Sequence, residues 1–341
     1  MASRPLFEDE HEAYRDSVRS FLARSVVPAY ADWQKAGTVP RDVFAVAGEH
    51  GFAAMQVPEE RGGAGIDDFR FNVVLAEETM RAGVAGFALM LTTHNDVCVP
   101  ALIAAGHPDL EAVAAGELLA AFVGPGRVSA EGGRLRGAAR GVVNGGVAGV
   151  VLVATERGVA IVEAAAARRE PAEPIVGMRA CDRADLTFDD VPHGELLPLH
   201  GADEQLSVAV LSLAGAHAAF AWTFDYVHER KAFGIRIADF QNTRYALADV
   251  IAEIEVTQSY LDACVLERNR GDLSARRAAV AKLRATETLS RAVDWGVQLH
   301  GGYGYMLEYP IAHAFADARF LRLHGGTSEQ MRDTIAPAAG V

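Results

Sequence analysis

Residues 203–231, 239–269 and 272–300 read as three long helical runs broken only by short turns. Helices that long, joined that tightly, bury their apolar faces against one another, which makes an antiparallel bundle. Tyr245, Leu247, Val250, Ile251, Ile254, Leu261 and Cys264 mark the face expected to be buried in the middle run. A shorter tail helix completes a four-helix unit over 198–341. Upstream the pattern changes. "ELLAAFVGP", "RLRGAARGVVNGG", "VAGVVLVAT", "GVAIVEA" and "ADLTFDDVP" are short β-rich runs between Gly, Pro and charged turns. They predict a small β barrel or sandwich over 117–197. The first 116 residues are helical again. Tyr14, Val18, Phe21, Leu22 and Val26 recur at helical spacing over 7–27, with Pro28 following the last of them. "VPRDVFAVAGEHGF" reads as a second helix, and 69–82 and about 91–105 as two more. The fold class is α+β multidomain, in the order α unit, β unit, helical bundle.

Composition narrows the function. The 341 residues carry a net charge of -13, which argues against a nucleic-acid partner, since phosphate tracks need a basic face. A local basic pocket for one anionic ligand remains open. Cys98, Cys181 and Cys264 are far apart and form no CxxC, so they read as reduced, buried thiols of a cytoplasmic protein. "MASRPLFEDEHEAYRD" is acidic and has no apolar core of a signal peptide. The longest apolar stretch, "LSVAVLSLAGAHAAFAWTF", is Ala-rich and contains His217 and serines. It reads as a buried bundle helix rather than a membrane span.

No HExxH, metal-spaced Cys/His cluster, P-loop or GxSxG is present, and the eleven histidines are scattered. No metal site is expected. Single motifs have plain readings. "QLHGGYGY" is a helix followed by a glycine cap. "ERKAFG" is a charged helix end. "TSEQM" is a helix start with Thr327 or Ser328 as N-cap. In this order and spacing they read differently. "VPEERGGAGID" (57–67), "YVHERKAFGIRIADFQ" (226–241), "QLHGGYGYMLEYP" (298–310) and "HGGTSEQM" (324–331) together strongly resemble the acyl-CoA dehydrogenase family, over about residues 7 to 338.

The resemblance implies an FAD enzyme that desaturates an acyl-CoA thioester between its α- and β-carbons. A carboxylate removes the α-proton while the β-hydrogen leaves as hydride. It implies FAD contacts at Arg230, whose forked donors suit a pyrophosphate reached across a subunit interface, and at Phe233 and Gln241 from the same segment. Gln298, Gly301 and Gly302 match the loop that approaches the ADP half, and Thr327 matches a pyrophosphate contact at a helix start. Glu329 matches a position near the adenosine. The implied partners are an acyl-CoA substrate, an electron-accepting flavoprotein and further subunits, in a tetramer of the dimer-of-dimers kind.

Two departures stand out. Many family members carry the catalytic Glu directly before "GT" in the C-terminal turn, and here that position is Gly325. Other members, such as the isovaleryl and long-chain enzymes, place it on the helix that opens the C-terminal domain, 26 residues before the Arg of "RxxFG". Counting back from Arg230 reaches Glu204. Asp203 and Glu204 equally fit the ordinary acidic first turn of a helix. The family's "TEP…GSD" segment is also missing, replaced by the shorter "AAFVGPGRVSAEGGRLRG". Gly141 and Val143 stand where the family has an aromatic and a Thr or Ser around the flavin ring. Contacts to a neighbour's FAD are kept while contacts to the chain's own ring are lost. That pattern resembles one subunit of a heteromeric acyl-CoA dehydrogenase of the actinobacterial sterol side-chain type. Two readings follow: a desaturating subunit with Glu204 as base, or a non-catalytic partner that completes another subunit's FAD site.

Overall fold

The computed structural model describes residues 4–198, 202–337 and 340. The N-terminal helices are α1 (Asp9–Phe21), α2 (Val27–Ala36), α3 (Asp42–Glu49), α4 (Phe69–Arg81), α5 (Ala85–Thr92), α6 (Val99–Ala104) and α7 (Leu110–Ala114). Pro28 does not end the first helical run. A π-turn over Leu22–Val26 joins α1 to α2, and Pro28 sits in the first turn of α2. A second π-turn, Thr93–Cys98, joins α5 to α6, where Pro100 occupies the same place. Proline has no N–H to give the ladder and its ring collides with the carbonyl four residues back. A wide turn just upstream shifts that carbonyl aside, so the chain continues as helix.

The β unit consists of β1 (Ala120–Val123), β2 (Val128–Glu131), β3 (Arg134–Val143), β4 (Val150–Thr155), β5 (Gly158–Glu163), β6 (Arg168–Pro171) and β7 (Arg183–Pro192). They form a three-stranded sheet ordered β1-β4-β5, with β1 and β4 parallel, and an antiparallel sheet ordered β2-β3-β7-β6. Side chains such as Val123, Leu135, Val153, Leu186 and Phe188 fill the space between the two sheets. Strand β6 reads "RREP", is exposed throughout, and pairs along its backbone with β7, so no alternation announces it.

The C-terminal helices are α8 (Ala202–Glu229), α9 (Gln241–Asn269), α10 (Ala275–His300), α11 (Pro310–Leu321) and α12 (Ser328–Ile335). The ribbon β8 (Lys231–Ala232) and β9 (Ile235–Arg236) lies between α8 and α9. Tyr245 is 62% exposed, contrary to its place in the expected buried face. The stripe runs through Ala246, Val250, Ile254, Leu261 and Cys264; Tyr245 lies one position off it, about 100° around the helix. Two stretches, Ala85–Ala104 and Ala202–Glu229, are long and apolar enough to cross a membrane, but their most apolar 18-residue windows are 72% and 78% buried inside the protein. The N-terminal helices and the bundle share one apolar core, in which Phe21, Phe87 and Leu75 lie with Leu211, Leu213 and Leu289. All three cysteines are free and buried.

Candidate active site

Two cavities gather most of the singled-out residues. The first is an open groove of about 1160 Å³ at the far end of α8 and α10, lined by Arg230, Phe233, Gln298, Gly301 and Gly302 with Tyr226, Trp295, Tyr303 and Met306. The ring of Tyr226 stacks on His300 with centroids 4.0 Å apart, and its hydroxyl donates to the His300 carbonyl. This pins the last turn of α8 to the last turn of α10 and brings Arg230 beside the glycine loop. Gly301 has φ +60° and ψ -138°, backbone that only glycine adopts readily. Nothing lies within 4 Å of where a side chain would stand at Gly301 or Gly302, so the loop backbone is open to the groove. The Arg230 guanidinium lies over the Tyr303 ring at 5.4 Å, and no carboxylate among the described residues pairs with it. Phe233 and Gly234 form the tip of the β8–β9 ribbon, both at positive φ. For a bulky side chain that backbone is strained, and the Phe233 ring is 99% exposed. Gln241, at the first residue of α9, donates to the Tyr245 hydroxyl at 2.7 Å.

The second cavity, about 700 Å³, lies where the β unit meets the bundle. Its walls are the end of β1, the stretch Ala139–Val143 of β3, Arg183 and Asp185 of β7, the first turn of α8, and the turn Leu323–Thr327 before α12. Glu204 and Gly325 meet in it. A side chain built at Gly325 would begin 3.3 Å from Cγ and 3.4 Å from Cδ of Glu204. The Glu204 side chain thus borders the space that a residue at 325 would take, with Val208 Cγ2 equally close at 3.3 Å. Gln205 Nε2 donates to the Gly325 carbonyl at 3.1 Å, and buried Lys282 of α10 donates to the Gly326 carbonyl. Burial raises the Glu204 carboxyl to about 7, and the charge of Lys282 works against that rise. Burial lowers Lys282 to about 8, opposed by the charge of Glu204.

Thr327 caps α12 through a capping box. Its hydroxyl accepts from the Gln330 backbone N–H at 3.3 Å, and its own N–H donates to Gln330 Oε1 at 2.8 Å. The hydroxyl hydrogen goes to the Glu329 carboxylate, which is held below the usual carboxylate range by its own backbone N–H and by this bond. Glu329 lines neither cavity; it is exposed and stands 3.9 Å from Arg332. At the β wall, Gly141 sits at φ +62° in an irregularity of the β3–β7 ladder, and its N–H donates to Asp185 Oδ1 at 2.8 Å. A side chain at 141 would begin 3.3 Å from the Arg183 guanidinium. Val143 is buried and brings no polar atom.

Residues 8–117 match the model of the acyl-CoA dehydrogenase N-terminal domain, and 202–340 that of the acyl-CoA dehydrogenase C-terminal domain. The chain is 32% identical to the long-chain specific acyl-CoA dehydrogenase of Mus musculus mitochondria, over 98% of this chain and 87% of that protein. The chain belongs to the acyl-CoA dehydrogenase family. That alignment runs over 384 positions, more than this chain has residues, so it skips segments the mouse protein carries. The acyl-CoA dehydrogenase of Geobacillus kaustophilus superposes with a TM-score of 0.90 at 28% identity, covering 99% of this chain and 100% of that one. A glutaryl-CoA dehydrogenase from Mycobacterium smegmatis, solved in complex with FADH2, has the same fold at 19% identity and a TM-score of 0.86, over 98% and 95% of the two chains. Membership in this acyl-CoA dehydrogenase family makes the chain an oxidoreductase of the class that acts on CH–CH bonds.

Sequence reasoning missed Lys282, Gln205, Arg183 and Asp185. For Lys282 a signal existed: it interrupts an alanine-rich stripe, "AAVAKLRA", on the buried face of α10. For the others none did, because each gains its place only when β3, β7 and α8 are brought together.

Proposed function

We propose that this chain is one subunit of a heteromeric acyl-CoA dehydrogenase, in which Glu204 is the base for α,β-desaturation and Arg230 completes the FAD site of a homologous partner. The observation that carries the proposal is the meeting of Glu204 with Gly325. A family base position that has lost its side chain is bordered by a carboxylate from another helix. With the carboxyl raised to about 7, Glu204 is poised near neutral pH, where a general base is most effective. It takes the α-proton of the thioester onto a carboxylate oxygen, and the electron pair of that C–H bond becomes part of the new double bond. FAD, when bound, supplies the acceptor for the hydride that leaves the β-carbon.

The groove residues fit an anionic dinucleotide. Arg230 presents a guanidinium with no carboxylate partner among the described residues, and Gly301 and Gly302 present open backbone. Gln298 lies in the same groove. Gln241 at the start of α9 and the exposed Phe233 ring extend it toward a neighbour. Thr327 lines the other cavity. Glu329, exposed beyond the turn, is assigned to the adenosine side by the same reading. The ring wall supports a partner that holds the flavin. Val143 offers no donor, the Gly141 N–H is committed to Asp185, and Arg183 stands beside the glycine. A second reading, a partner subunit without turnover of its own, rests on the same wall. The substrate is an acyl-CoA, and the small residues along α8, which are buried against neighbouring helices, read equally as a widened acyl pocket and as close helix packing. The assembly is a cytoplasmic tetramer that passes electrons to an acceptor flavoprotein.

The test is purification alone and with a homologous partner, followed by flavin absorbance per chain and anaerobic reduction by acyl-CoA. Flavin that appears only with the partner, and that substrate reduces, supports the proposal. A yellow, active homo-oligomer with one FAD per chain overturns the heteromeric part.

A further inference from the structure

The chain uses 29 arginines and only three lysines, Lys35, Lys231 and Lys282. Lys35 and Lys231 are exposed, while Lys282 is 1% exposed in the middle of α10. A chain that favours arginine so strongly has put a lysine at a buried cationic position. The chemical difference is clear: an arginine stays charged in any protein environment, whereas a buried lysine can share or release its proton. Lys282 donates to the Gly326 carbonyl, in the turn whose Gly325 packs on Glu204, and it is the charge that acts on Glu204. Three other groups face this pair. Cys98 approaches Glu204 from the π-turn, and burial keeps its thiol protonated. His324 lies beside Lys282, and burial together with the Lys282 charge lowers it to about 4, so it is neutral. Gln205 holds the Gly325 carbonyl and carries no charge. Lys282 is therefore the one countercharge for Glu204 among these neighbours.

We propose that Lys282 is a positioning residue for the Glu204 base: anchored to the Gly326 carbonyl, its ammonium holds the turn against the carboxylate and keeps that carboxylate ionised in the closed cavity. The inference rests on the reading of Glu204 as base. It assigns a role to a side chain that touches neither substrate nor cofactor. An alanine here would remove the charge that opposes the upward shift burial imposes on Glu204.

Three lysines make the test direct. The full-length chain is labelled with ¹³C at lysine Cε and titrated by NMR, as wild type and as Glu204→Gln. Lys35 and Lys231 serve as internal references. The expected result is a Lys282 midpoint about two units below the references, moving lower by about one further unit in Glu204→Gln. This reading needs no flavin, partner or turnover. In the assembled enzyme, Lys282→Met, which keeps the length of the side chain, should move the rising limb of flavin reduction upward by about one pH unit at unchanged flavin content. A Lys282 signal that titrates with the other two, or that does not move in Glu204→Gln, overturns the proposal while leaving the base reading intact. A normal rate of flavin reduction in Glu204→Gln removes the base reading, and this proposal with it.

Discussion

At the scale of single residues the proposed function rests on two side chains in different cavities. Glu204 is raised to about 7, so it is largely protonated at pH 6 and largely ionised at pH 8. Reduction of the assembly's flavin by acyl-CoA should therefore accelerate as pH rises through about 7. Glu204→Gln keeps the shape of the side chain but cannot take a proton. It should slow that reduction by at least ~100-fold in stopped-flow experiments while leaving flavin content unchanged. Arg230 acts on binding instead. Its guanidinium has no carboxylate partner among the described residues, so Arg230→Ala leaves no buried charge behind. The loss of a charge-assisted pair to pyrophosphate should weaken FAD retention by about 2 kcal/mol. Release of flavin fluorescence on dilution measures this, and an unchanged release curve would show that Arg230 does not reach the cofactor.

At the scale of elements, close backbone crossings hold the units at fixed distances. Helix α3 lies directly on the turn after α7. A side chain at Gly48 would begin 2.2 Å from the Ala115 carbonyl oxygen, and one at Gly116 would begin 2.0 Å from that of Phe44. Backbone cannot give way as a side-chain tip can. Gly48→Ala should therefore destabilise the protein by about 3 kcal/mol, the upper part of the range for overpacking, read as a lowered midpoint in chemical denaturation. A similar crossing seats Gly177 on α11, where the Asp317 carboxylate accepts the Met178 N–H. Burial raises this carboxyl from 3.8 to about 6. Between those values the unfolded chain releases the proton first, so the native state loses stability as pH rises. Asp317→Asn abolishes that titration. Its Tm relative to wild type should be higher at about pH 7 than at about pH 4, and equal offsets at both pH values would show that Asp317 titrates normally.

At the scale of the whole molecule, the open groove has an aromatic rim. Phe233 is 99% exposed, Tyr305 85%, Met306 45% and Tyr303 40%, all around or beside Arg230. A soluble chain rarely presents so many large apolar side chains in one place without a partner to cover them. The expected outcome is multimerisation through this face. Multi-angle light scattering should find a flavin-bearing species larger than the 36.3 kDa monomer, and a flavin-competent monomer would refute the cross-subunit site. Phe233→Ser should weaken assembly with little effect on the monomer's thermal stability, since an exposed ring contributes nothing to the core.

The order of units was legible in the sequence because it rests on local periodicity. Long 3.6-residue patterns, short β runs and glycine–proline breaks are properties of neighbouring residues. The open groove was legible for a related reason. Arg230, Gln298, Gly301 and Gly302 lie in compact motifs whose spacing survives in the chain, and the fold brings them together at the ends of two helices. Glu204 was reachable only by counting from Arg230, and the helix-start reading of Asp203 and Glu204 stayed equally open. Packing places Glu204 beside Gly325, with Val208 equally close, a contact that periodicity does not announce. The passage of the first helix through Pro28, the outward turn of Tyr245 and the pairing of "RREP" as a strand were likewise decided by tertiary structure. So was the place of Lys282. Tyr245, β6 and Lys282 each depend on what a distant segment presents at close range, a neighbouring helix, a paired strand or a carbonyl, and Pro28 depends on the wide turn just upstream of it. Of these only Lys282 marks the sequence, as a break in an alanine-rich stripe, and that mark does not say which carbonyl the side chain meets, because the carbonyl comes from a segment far along the chain.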